Sequence, residues 1–132
     1  NQLLYHLIAG WCRADSAHFQ ERVEKGEKYR PALDFLRYAG DATTTVARLA
    51  ELCGMRRDSF SRRFRHDMGL TPKRFLTQVL INKAAARLLA PGTSVKAVAG
   101  ELNFSSEFYF SHFFKQQTGM APSMFRKLHA GF

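Results

Sequence analysis

The sequence predicts an all-α protein in which two tandem helix-turn-helix subdomains are joined by a long linker helix and preceded by a helical extension. Three observations carry that prediction. Apolar residues recur at steps of three and four, the spacing of one helix face. Strand-like alternation with β-branched residues is absent. A block of residues also returns in register about fifty positions later, as a duplicated supersecondary unit would.

The elements follow along the chain. Leu3, Leu4, Leu7, Ile8 and Trp11 form one stripe of a first helix that fades near Asp15. Ser16 can cap a second helix through Phe19 and Val23, ended by Gly26. Residues 1–30 thus read as a helical extension, its stripe packing either on the rest of the chain or on a dimer or sensor partner. Pro31 suits the first turn of the next helix, which runs through Leu33, Leu36 and Arg37 to Gly40-Asp41. Thr43, Thr44 and Thr45 then make a polar turn and cap.

Here the repeat begins, within a domain expected over residues 31–132. Val46, Ala50, Gly54, Phe60-Ser61, Phe64, Gly69, Pro72 and Phe75 are answered by Val95, Ala99, Asn103, Phe110-Ser111, Phe114, Gly119, Pro122 and Phe125. The offset is 49 at the start and 50 from Phe60 onward, so the second copy has one extra residue in its turn. Each copy reads helix, tight turn, helix. The first unit (about 45–69) has Val46 to Cys53, a turn at Gly54, and Asp58 to Met68. In the second (about 94–119), Ser94 caps Val95 to Leu102, Asn103 takes the turn, and Ser106 caps Glu107 to Thr118. Asn tolerates the left-handed backbone that Gly adopts freely. Between the units, Thr71-Pro72 opens a helix through Leu89 that Pro91-Gly92 ends. A helix of about 18 residues rises roughly 27 Å, close to the ~34 Å of one duplex turn.

Charge supplies the partner class. The 132 residues carry twenty Lys and Arg against eleven Asp and Glu, a net +9. That excess suits a polyanion, because a basic surface releases counterions from nucleic acid. Its placement is more telling than its sum. Between Arg56 and Arg74, seven Arg or Lys against two Asp leave a local +5, whereas residues 104–132 carry only +2. The first unit is therefore expected to supply most of the affinity and base discrimination, and the second mainly to position.

A helix-turn-helix places the start of its second helix in the major groove of double-stranded DNA. Phe60 and Phe64, four apart, must face a core, which leaves Arg57, Asp58, Ser61, Arg62 and Arg65 outward. Arg62 can make the bidentate contact to guanine. Asp58 either accepts from cytosine or complements the helix dipole. In the second unit Phe110 and Phe114 take the core slots, leaving Glu107, Phe108, Ser111 and His112 outward. Phe108 is either a partner for a thymine methyl or a partly buried aromatic. Arg56, Arg65, Lys73, Tyr109 and Lys115 are the expected phosphate contacts.

Other classes fit poorly. No nucleophile elbow, phosphate loop or H-E-x-x-H occurs, and the five histidines lack metal-ligand spacing, so neither catalysis nor a cofactor is expected. His6, His18, His66, His112 and His129 are assigned to surface or capping roles. Cys12 and Cys53 are not a C-x-x-C pair and read as buried free thiols of a cytoplasmic, nucleoid-associated protein. No apolar run is long enough to span a membrane. The first residues lack a signal-peptide pattern, and Asn1 suggests a piece of something longer. RNA is disfavoured because its A-form major groove excludes a recognition helix. A helical protein-interaction module with non-specific DNA binding is the alternative reading.

Two stretches carry a family likeness. Gly69-Leu-Thr-Pro-Lys-Arg-Phe75, and above all Asn103-Phe-Ser-Ser-Glu-Phe-Tyr-Phe-Ser-His-Phe-Phe-Lys-Gln-Gln-Thr-Gly-Met-Ala-Pro-Ser-Met-Phe-Arg126, resemble the AraC/XylS family of bacterial transcription regulators. The likeness covers about residues 31–128. It implies a seven-helix domain whose two readers insert into one DNA site. By position, the family's base readers fall on Arg57, Asp58, Ser61 and Arg62, and on Glu107, Phe108, Ser111 and His112. Three positions depart from the family pattern: Asn103 stands where Gly is usual, His112 where Arg is common, and Leu80 where Arg often lies in the linker helix. The resemblance further implies RNA polymerase as a partner on DNA, and an N-terminal effector-binding or dimerising domain in the full-length protein.

Overall fold

The computed structural model describes residues 27–129, and within them every regular element is helical. A 3-10 turn (Glu27–Tyr29) precedes α1 (Arg30–Ala39), α2 (Val46–Leu52), α3 (Arg57–Met68) and α4 (Pro72–Leu89). Then come α5 (Val95–Glu101), α6 (Glu107–Thr118) and α7 (Pro122–His129). The two helices expected to lead the chain, with the Trp11 stripe and Cys12, lie outside the described residues. Cys53 is a free thiol, half-buried.

Short polar caps set most of these boundaries. Thr45, Thr71, Ser94 and Ser106 each accept, through the side-chain hydroxyl, from the amide three residues on, at 3.0–3.2 Å. Each such bond satisfies an amide that the helix itself leaves without a partner. α3 differs: its N-cap is Arg56, which makes no side-chain capping bond. Both second helices end on a left-handed glycine, Gly69 at φ +83° and Gly119 at φ +78°.

Most expected boundaries agree with the structure, and the exceptions are local. α4 spans Pro72–Leu89 and α6 Glu107–Thr118, as the pattern predicts. α2 and α5 stop one residue early, because Cys53 and Leu102 serve as C-caps. α1 opens at Arg30, with Pro31 in its first turn. It ends at Gly40, where an added Cβ would lie 2.6 Å from the Leu36 carbonyl oxygen, so only glycine fits. α7 lies beyond the elements the periodicity predicts, although the repeat contains it: Gly119-x-x-Pro122-x-x-Phe125 restates the start of α4. His129, expected in a surface or capping role, is instead buried against Phe125, with centroids 4.9 Å apart. It lies on the inward face of α7, one turn after Phe125.

Two cores share α4. Its first half gives Phe75, Leu76 and Leu80 to a core with Tyr29, Leu36, Leu49, Phe60, Phe64 and Met68. Its second half gives Ile81, Ala84, Ala85 and Leu88 to a core with Val98, Leu102, Phe110, Phe114 and Phe125. The aromatic centres repeat as the sequence does. Phe64–Phe75 and Phe114–Phe125 are both edge-on, with centroids 5.6 and 5.4 Å apart. Each pair adds about 0.5–1.5 kcal/mol beyond its area burial. The first core also reaches back to Tyr29, fully buried, whose hydroxyl donates to Asp67 Oδ2 at 2.5 Å. Lys28 Nζ lies 2.9 Å from the same oxygen.

Two stability predictions follow from this packing. Phe64→Ala and Phe114→Ala are each expected to cost about 3–5 kcal/mol through the cavity left behind; a thermal melt at wild-type temperature would refute the core assignment. The bonds from Tyr29 and Lys28 hold the Asp67 carboxyl below its ordinary value. Its folded pKa is lowered, so its contribution is complete above about pH 4 and lost as pH falls below that. Asp67→Asn should therefore be less stable than wild type at pH 7 by about 1 kcal/mol, a gap that closes on acidification. A gap independent of pH in denaturant titrations would count against the assignment.

Candidate nucleic-acid interface

The turn between paired helices has the same geometry in both units. Met55 N–H donates to Ala50 O at 2.9 Å, and Phe104 N–H donates to Ala99 O at 3.0 Å. The left-handed residue between them is Gly54 at φ +65° in one unit and Asn103 at φ +57° in the other. Asn103 therefore occupies the turn position predicted for it. The extra residue of the second copy is Ser105, after which Ser106 takes the N-cap slot that Arg56 fills in the first.

These turns present equivalent faces of α3 and α6. Arg57, Asp58, Arg62 and Arg65 are exposed and Ser61 is half-buried. Their counterparts Glu107, Phe108, His112 and Lys115 are exposed and Ser111 is half-buried. The repeat thus predicts the exposure pattern position by position, because Phe60, Phe64, Phe110 and Phe114 pin the opposite faces inward. Arg56, Lys73 and Tyr109 flank these faces and are also exposed. Phe108 is 81% exposed, which removes the partly buried alternative. Tyr109 lies 6.3 Å from the Phe104 ring, centroid to centroid. Asp58 stands in the first turn of α3, where no side-chain bond caps the helix, so it is open to either role expected of it.

The two faces differ in chemistry. That of α3 is dominated by guanidinium groups, and that of α6 by aromatic and neutral groups with one Lys and one Glu. Beside Arg62 a shallow cavity of about 500 Å³ is lined by Lys28, Ser59, Arg63, His66 and Asp67. Arg63, His66 and Lys28 line it without being among the contact residues expected from the sequence. Arg63 and His66 were legible, because Ser59, Arg62, Arg63 and His66 are related by steps of three and four on the same helix. Lys28 was not, because burial of Tyr29 brings it to α3 from 34 residues away.

Among the described residues no His, Cys, Asp and Glu side chains gather into a metal-holding group, and no helix is long and apolar enough to cross a membrane.

Comparison with known proteins agrees with this architecture. Residues 49–128 match the helix-turn-helix domain family. An uncharacterised helix-turn-helix transcriptional regulator of Haemophilus influenzae is 40% identical over 82 residues, covering 62% of this chain and 28% of that protein. A transcriptional regulator of Chromobacterium violaceum with an AraC-type DNA-binding domain superposes with a TM-score of 0.70 at 19% identity. That match covers 82% of this chain and 96% of the other. The DNA-binding domain of the global transcriptional factor AdpA, solved with a target DNA, has a TM-score of 0.65 at 28% identity. It covers 75% of this chain and 92% of that one. The chain spans 28% and 44% of the length of the first two curated relatives it matches. With two duplicated helix-turn-helix units on one shared helix and a family match over most of its length, the chain belongs to the AraC/XylS family of transcription regulators and carries that family's DNA-binding domain.

Proposed function

We propose that this domain reads one promoter site with two recognition helices, α3 and α6, set into successive major-groove segments. The observation that carries this reading is the duplicated outward face, exposed in the same pattern behind the same left-handed turn in both units. The local +5 around α3 supplies attraction to phosphate, and the AdpA domain solved on DNA is a relative of the same architecture.

In this reading Arg57, Asp58, Ser61 and Arg62 meet base edges in one segment, and Glu107, Phe108, Ser111 and His112 in the next. Arg56, Arg65, Lys73, Tyr109 and Lys115 lie against phosphates. Arg62 is suited to guanine O6 and N7, and Phe108 to the thymine methyl. The first reader contributes most of the affinity, because α3 carries most of the cations. The greater length of the relatives supports a further sensing or dimerising domain in the whole protein. RNA polymerase as a partner on DNA rests on the family resemblance.

Selection of bound fragments from a random duplex pool, with affinity followed across salt, tests the reading. One asymmetric motif with two elements about a helical turn apart is expected, with a steep salt slope. Salt-sensitive binding without a motif would sink it and leave a non-specific binder. Arg62→Ala is expected to cost about 1–3 kcal/mol and relax one base pair, whereas Lys73→Ala should weaken all sites alike and reduce the salt slope by about 1. An Arg62→Ala footprint and affinity equal to wild type would remove that residue from the reader.

A further inference from the structure

The loop between α1 and α2 carries bonds that the reading face does not need. Asp41 folds the loop around its own carboxylate: Oδ1 accepts from Thr43 N–H at 2.8 Å and from the Thr43 hydroxyl at 2.5 Å. The other oxygen, Oδ2, accepts from Asn103 Nδ2 at 2.7 Å, across 62 residues. Beside it Ala42 N–H donates to Leu102 O at 2.9 Å. On the third side Lys83 Nζ, from the middle of α4, donates to Gly40 O at 2.8 Å. One loop of the first unit is therefore fastened both to the shared helix and to the turn of the second unit.

The repeat makes the Asn103 bond informative. Gly54 holds the equivalent left-handed turn in the first unit without a side chain and without strain. A non-glycine residue there carries a conformational cost, smallest for Asn and Asp. What Asn103 adds to the turn is its amide, and that amide is bonded to the other unit. Burial opposes ionisation of Asp41, but the Thr43 and Asn103 bonds and the charge on Lys83 outweigh it and hold the carboxyl ionised and below its ordinary value. Gly40 gives the loop its close path past Leu36, with no room for a side chain. Together with α4 and the partly buried Phe113, which packs against both cores, these bonds tie the two units to each other.

We propose that Asp41, Asn103 and Lys83 form a polar clamp that fixes the angle and separation of α3 and α6, making Asn103 a positioning residue for half-site spacing. The inference rests on the tandem reading proposed above. A clamped pair of readers meets two DNA segments at one spacing with little ordering cost, and a loose pair samples several spacings and favours none strongly. None of the three residues lies on the outward face of α3 or α6, so each acts through geometry and not through a base contact.

The test has one arm without DNA and one with it. In the 132-residue chain, amide residual dipolar couplings from both units should fit a single alignment in wild type. Asn103→Gly, which keeps the left-handed turn, should require separate alignments for the two units. On DNA, affinity is compared between the selected site and the same site with one or two base pairs inserted between its elements. The preference for native spacing should fall roughly tenfold in Asn103→Gly, the scale of one direct coupling between neighbouring groups. The exchange Asp41→Asn with Asn103→Asp, which reverses donor and acceptor, should restore both readouts. Either readout at its wild-type value in Asn103→Gly, or an exchange variant as loose as Asn103→Gly, overturns the proposal. If wild type selects no paired motif, the tandem reading has failed, and the alignment arm alone decides whether the clamp holds the units.

Discussion

The structure depends on one helix serving two cores. α4 is 18 residues long, and successive turns of it are claimed by different partners. Phe75, Leu76 and Leu80 are sealed by α1, α2 and α3, while Ile81, Ala84, Ala85 and Leu88 are sealed by α5, α6 and α7. Neither half is buried without its own unit. Most helical stability in a protein comes from tertiary packing, so the rigidity of α4 comes from the cores it joins. A stiff bridge between readers is thus a product of burying both its halves.

The small residues of α4 show the same constraint. Ala84 and Ala85 are buried where the second unit closes on the helix, which allows the shared backbone to be approached closely. On the opposite side of the junction Lys83 is half-buried, its ammonium bonded to the Gly40 carbonyl. Burial favours its neutral form and Asp41 opposes that; burial prevails, so its pKa lies below the ordinary lysine value. The junction is therefore apolar on one side of α4 and polar on the other. Phe113 closes it between the cores in the slot that Arg63 fills in the first unit.

The repeat keeps its core and varies its outward face. The core positions Phe60, Phe64 and Phe75 reappear as Phe110, Phe114 and Phe125, since a packed aromatic cluster tolerates little change. The outward positions are free of that constraint: Arg57, Asp58 and Arg62 are matched by Glu107, Phe108 and His112. One fold unit thus presents a cationic surface in its first copy and an aromatic, nearly neutral one in its second. The basic groove beside Arg62 lies in the first copy, where Tyr29 bonds to Asp67 and Lys28 lies beside α3.

Much of this was determined by the sequence alone. The repeat, the Thr and Ser caps, the left-handed glycines and the phenylalanines four apart are local signals, and they placed both helix-turn-helix units, the linker helix and the outward residues. Local signals suffice there because a helix's bonds and faces are set by residues within a turn of one another. Only the tertiary structure decided the rest. Tyr29 enters the first core and carries Lys28 to α3; His129 turns inward against Phe125; Asn103 reaches Asp41. Each depends on contacts between segments distant in sequence, or on which face of a terminal helix meets the core. Such contacts have no period or spacing along the chain, since they exist only once the two cores have closed on α4.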